Sequence, residues 1–235
     1  MSSVLDLISP RVGLYLKDDF LTNDSAADAA VGELGWEIIT IGNASTFAYQ
    51  TAKPFGVLRG TTAATADGDG TALRLFQDAL VLKPGFEIGA RVEYPVELAS
   101  MNFRIGVDDS VTATRPTVGV TVESDAGVLS CHTDSGDHDD ESESVTGHPD
   151  LTSGTTIVVG EPIDILIRGS GRANAQGGPD EVDFWINSTH VAKVPCNIDD
   201  DEEVEPKIAF WQDAGVTDAV AIEFDYWQGF FPRGT

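Results

Sequence analysis

Three sets of residues in this chain have the types and spacing to do chemistry. The first is Glu223-Phe224-Asp225-Tyr226-Trp227-Gln228, where two carboxylates stand two residues apart. On a strand, such positions share a face. Glycoside cleavage with retention uses two carboxyl groups about 5 Å apart, one as nucleophile and one as proton donor. No second glutamate follows on the strand, where Trp227 and Gln228 stand, and neither of these supplies that proton. The reading that follows is of solvent-facing acids on an ordinary strand.

The second set is acidic. The run 134–141 and the run Asp199–Glu203 are rich in carboxylates, with a smaller group at Asp67-Gly68-Asp69-Gly70. Calcium takes six to eight oxygen ligands, and the loop holding Asp134, Asp137 and Asp139 is the candidate site for calcium or another divalent cation. None of the runs has the twelve-residue calcium-loop layout, and adjacent acids cannot all face one ion. His132, His138, His148 and His190 do not fall at a metal-binding spacing.

The third set is aromatic. Trp185, Trp211 and Trp227 would stack on sugar rings if they pointed outward from a sheet, and Trp185 and Trp227 fall opposite the aliphatic rows of their strands. Burial or a subunit contact is the alternative use of such side chains. No Gly-x-Ser-x-Gly elbow and no phosphate-binding glycine loop occurs.

The elements that must position these residues are strands. Val182, Phe184 and Ile186 alternate with Asp183 and Trp185, Asn187-Ser188 stands where a hairpin would turn, and His190 to Val194 returns. Val220, Ile222, Phe224 and Tyr226 alternate with Ala221, Glu223, Asp225 and Trp227. Upstream, strands are expected at Trp36–Ile41, Thr46–Gln50, Phe55–Arg59, Thr71–Phe76, Phe86–Tyr94, Phe103–Val107, Val118–Val122, Val128–Thr133, Thr155–Val159 and Ile163–Arg168. Asn23 to Val31 has an alternative reading as two helical turns. The acidic stretch 134–154 and the glycine-rich stretch 169–179 read as long surface loops, the second a flexible one. No repeat of fixed period is present. The expected architecture is therefore an all-β antiparallel sandwich over residues 17–235, preceded by an N-terminal arm, residues 1–16, that packs on a neighbour.

With 39 acidic and 14 basic residues, five of them lysine, the net charge of −25 repels phosphate backbones and argues against nucleic-acid binding. The same balance matches the surfaces of proteins from extreme halophiles, where molar salt screens charge within about 3 Å. No apolar run is long enough to cross a bilayer, and the N-terminus lacks the pattern of a signal peptide, so cytoplasmic synthesis without membrane insertion is expected. Cys131 and Cys196 could form one bridge or remain buried thiols.

The hairpin Phe184-Trp185-Ile186-Asn187-Ser188-Thr189-His190-Val191-Ala192, then Glu205-Pro206-Lys207-Ile208 and Phe224-Asp225-Tyr226, resembles the closing strands of concanavalin A-like (lectin/laminin-G type) jelly rolls. Ser188 stands where that family usually has glycine. Asp18-Asp19-Phe20 with Gly35-Trp36 resembles the opening of such domains in structural proteins of tailed viruses. With the acidic composition, the resemblance implies a homo-oligomeric virion protein, a capsid decoration, turret or tail component, of a virus of halophilic archaea. Its implied partners are copies of itself and other virion proteins. A carbohydrate-binding module for host surface glycans is the alternative, and a glycoside hydrolase the third reading.

Overall fold

The computed structural model describes residues 13–20, 30–43, 45–50, 53, 56–64, 68–75, 80–95, 100–110, 112, 116–125, 127–135, 141–144, 157–213 and 215–233, with only the backbone described at 30 and 141–144. In chain order the strands are β1 (Gly13–Asp18), β2 (Ala30–Val31), β3 (Trp36–Ile41), β4 (Thr46–Gln50), β5 (Val57–Thr61) and β6 (Gly70–Arg74). Then come β7 (Leu80–Val81), β8 (Glu87–Glu93), β9 (Met101–Asp108), β10 (Val118–Asp125), β11 (Val128–Ser135) and β12 (Glu141–Ser144). The chain closes with β13 (Pro162–Gly169), β14 (Glu181–Ile186), β15 (Thr189–Pro195), β16 (Glu203–Gln212) and β17 (Ala221–Pro232). No helix occurs among the described residues.

These strands form two antiparallel sheets packed as a sandwich, as the alternation in the sequence implies. The first runs β15-β14-β13-β8-β17-β5-β4, with β1 also on β17; the second runs β12-β11-β10-β9-β16-β6-β3-β2, with β7 on β16. The last strand sits inside the first sheet, between β8 on one side and β5 and β1 on the other. Inward rows such as Ile88, Ala90 and Val92 on β8 and Phe103, Ile105 and Val107 on β9 make one continuous core. Aromatic rings join the sheets: Phe210 of β16 lies 5.9 Å from Phe224 of β17, and Trp36 of β3 meets Trp227 of β17 edge-on at 5.2 Å. Gly60 of β5 is required there, since a Cβ would overlap the Phe210 ring.

Asp18 gives the opening motif its physical meaning. Its buried carboxylate accepts from the Phe20 amide at 2.7 Å, the Leu34 amide at 2.9 Å and Trp36 Nε1 at 3.0 Å. It thereby ties the end of β1 to the start of β3, across the two sheets.

Several expectations change. Residues 13–16 of the expected arm belong to β1, which pairs with the chain's own β17 and buries Leu16; residues 1–12 lie outside the described set. Ala30–Val31 is a strand, while 23–29 of the alternative helix lie outside the described residues. No strand forms at 157–159. The acidic stretch 134–154 is not all loop: β11 continues through Ser135, and β12 pairs with it as an acidic edge strand, a sequence that discourages further pairing. The glycine-rich stretch is tied down, because Asn174 Nδ2 donates to the carbonyls of Pro179, Cys196 and Ile198 at 2.9–3.2 Å. Cys131 and Cys196 are both buried and are not joined in a disulfide.

Candidate functional site

The outward row of β17 builds the site. A β-bulge between Phe224 and Tyr226 inserts one residue against β8, which shifts the strand's phase. Before the bulge Ile222 and Phe224 point inward; after it Trp227 and Phe231 do. Strict alternation therefore misplaces two residues. Trp227 is fully buried against Trp36 and cannot present a face to a sugar, while Tyr226 lies on the outer face.

Register sets side chains in three rungs across the outer face of the first sheet. One rung runs Trp185, Leu166, Gly89 and Gln228 over β14, β13, β8 and β17. The next runs Asp164, Arg91 and Tyr226. The third runs Glu93, Glu223 and Arg59 over β8, β17 and β5. Successive rungs lie two residues apart, about 7 Å along the strands.

Arg91 is the hub. Its Nε and one terminal nitrogen grip Asp164 at 2.7 and 2.9 Å, the other terminal nitrogen reaches Asp225 at 3.4 Å, and its guanidinium lies 5.7 Å from the Tyr226 ring centre. The Asp164 bonds hold the guanidinium above the ordinary arginine range. Burial, reinforced by Asp164, pushes the Tyr226 phenol up. Two clefts adjoin at Arg91. One, about 430 Å³, is lined by Trp185, Gly89, Tyr226, Gln228 and Ser188 among others. The other, about 300 Å³, is lined by Lys53, Glu93, Glu223, Asp225 and Pro162 among others.

Glu223 corrects a second expectation, for it is buried rather than solvent-facing. Arg59 Nε donates to it at 2.8 Å, and Lys53 bridges it to Glu93, whose oxygens accept from the ammonium at 2.8 Å. Burial opposes the charge on Lys53, yet the bonds to Glu223 and Glu93 raise its pKa overall. Glu93 is the neighbouring carboxylate that sequence reasoning missed, because it lies on β8 and not on the strand of Glu223. Both carboxylates have their oxygens engaged by cationic donors, so the geometry serves charge compensation, whereas general-acid work needs a carboxyl that carries a proton.

The aromatic hairpin is fixed by its turn. Asn187 and Ser188 have φ of 49° and 67°, the two left-handed positions of the type I′ hairpin connection. Asn187 also ties the turn to β13, accepting from the Asp164 amide at 2.8 Å through its side chain. Trp185 is partly buried, with the Arg168 guanidinium 5.4 Å over its ring and the His190 ring 5.2 Å away.

The three tryptophans are thus not brought together. Trp185 is on the outer face of the first sheet, Trp227 in the core, and Trp211 on the outer face of the second sheet beneath Arg104. Asp134 is buried within β11, opposite Gly119, and Asp137 and Asp139 lie outside the described residues. Among the described residues no group of three or more His, Cys, Asp or Glu side chains is placed to hold a metal ion. Asp69 instead accepts from the Asn43 amide at 2.7 Å, and Asp200 pairs with Lys83 at 2.8 Å.

No protein-family model matches the sequence, and no curated protein matches it in sequence. Solved structures do match in fold. A protein of unknown function from Shewanella oneidensis MR-1 superposes with a TM-score of 0.65 at 9% identity, covering 100% of this chain and 93% of that one. An endo-β-1,4-glucuronan lyase from Trichoderma reesei gives 0.61 at 10% identity, covering 92% and 94%. Botulinum neurotoxin type C, whose cell entry depends on interaction with two ganglioside molecules, gives 0.57 at 8% identity, covering 92% of this chain and 47% of that one. At such identities these likenesses show the β-sandwich fold alone.

Proposed function

We propose that this chain is a carbohydrate-binding β-sandwich that holds a saccharide along the outer face of its first sheet. The observation that carries this reading is the three-rung surface over β13, β8 and β17, where two clefts meet at Arg91 between the partly buried Trp185 and Tyr226. Aromatic walls beside fixed planar polar groups are the chemistry that recognises a sugar's apolar ring faces and paired hydroxyls. The glucuronan lyase and the ganglioside-dependent neurotoxin support the reading, since sandwiches of this shape serve proteins that engage glycans. The test is a glycan array probed with the wild-type chain and with Gly89→Leu, which fills the cleft floor. Binding by the first and not the second supports the site; equal binding by both places it elsewhere.

The setting we propose is the surface of a virion, in homo-oligomeric form, where such a module would meet host glycans. Its support is the resemblance of Asp18-Asp19-Phe20 and Gly35-Trp36 to the opening of tailed-virus domains, together with the net charge of −25. Mass spectrometry of purified particles tests it, with stoichiometric copies expected.

A further inference from the structure

Resting on the carbohydrate reading, we propose that this groove selects neutral saccharides and rejects their uronate counterparts. Five carboxylates line the two clefts, those of Glu87, Glu93, Asp164, Glu223 and Asp225; Arg168 is held by Glu87 and Arg59 by Glu223, and the cations in the lining itself are two, Lys53 and Arg91. Both cations are already engaged. Arg91 spends two donors on Asp164 and turns a third toward Asp225, and Lys53 lies between Glu93 and Glu223. An entering carboxylate therefore meets no uncompensated positive charge. To gain one it must displace an internal partner and leave that carboxylate unmatched beside it.

A neutral sugar meets the opposite situation. Carboxylates held by arginine or lysine are oriented acceptors for its hydroxyl protons, and their planar shape suits paired hydroxyls. The groove also supplies a donor. Gln228 Oε1 accepts from the Tyr15 hydroxyl at 3.3 Å, and its Nε2 lies over Gly89, where an added Cβ would come within 2.9 Å of it. Gly89 thus keeps the floor open beneath a fixed amide.

The experiment is calorimetric titration of the full chain with matched pairs of tetrasaccharides that differ only in CH2OH or carboxylate at C6: cellotetraose with tetraglucuronate, and mannotetraose with tetramannuronate. One neutral member is expected to bind and its uronate to bind at least about tenfold weaker, which is about 1.4 kcal/mol. A uronate that binds as tightly as its neutral partner, or more tightly, overturns the selectivity while leaving the carbohydrate reading intact. No binding by either member of any pair, and none on the array, removes both. In the variant Glu87→Gln/Asp225→Asn, which leaves the Arg91–Asp164 pair in place, the gap is expected to narrow. An unchanged gap overturns the electrostatic cause.

Discussion

Glu223 and Glu93 are cross-strand partners on β17 and β8, and the Lys53 ammonium lies between their carboxylates. Glu223 is 1% exposed, while Lys53 and Arg59 are each about one-third exposed. A carboxylate this buried depends on its cations, and loss of a partner from a buried pair is strongly destabilising. Solvent reaching the two cations reduces that cost.

Arg59→Met should therefore lower unfolding stability by about 2 kcal/mol, read by chemical denaturation in high salt. Adding Glu223→Gln should recover part of the loss, because the buried charge goes with it. A double variant no better than the single would contradict the account of this cluster.

Trp227→Ala should cost about 3–5 kcal/mol, the range for large core truncations. The tryptophan is buried in the sandwich against Trp36 and does not line either cleft. Its thermal transition should fall well below that of Trp185→Ala, whose side chain is only partly buried. Equal transitions would return Trp227 to the surface.

Ser188 occupies a left-handed position, φ 67°, that glycine adopts without steric cost. Ser188→Gly should raise stability by about 0.5–1 kcal/mol, relief of left-handed strain outweighing the added freedom of the unfolded chain. Denaturation midpoints of the two proteins check this; a lowered midpoint would contradict the type I′ assignment.

Cys131 and Cys196 are buried thiols, and burial pushes the Cys196 pKa up to about 11. Since the thiolate is the reactive form, neither should be labelled by a thiol reagent at pH 8 until the chain unfolds, after which two should react. Rapid labelling of the folded protein would contradict the described packing.

The alternation of Val182, Phe184 and Ile186 and the turn at Asn187-Ser188 made the aromatic hairpin legible, because each depends on local geometry alone. Two kinds of feature were not legible. The bulge on β17 exchanges the faces of Tyr226 and Trp227, and it exists only as a relation to β8. The partnership of Glu93, Lys53, Glu223 and Arg59 joins residues up to 170 positions apart, set by sheet order rather than spacing. The weak periodicity of residues 1–16 concealed a strand whose partner is the chain's own C-terminal end.

The most direct test of the central claim is NMR mapping of the labelled chain titrated with a saccharide that scores on the array. Amide shifts concentrated on the outward positions of β8, β13 and β17, with Gly89, Arg91 and Tyr226 among the largest, are the predicted result. Shifts concentrated on the second sheet around Trp211, with the Gly89 region silent, would contradict it.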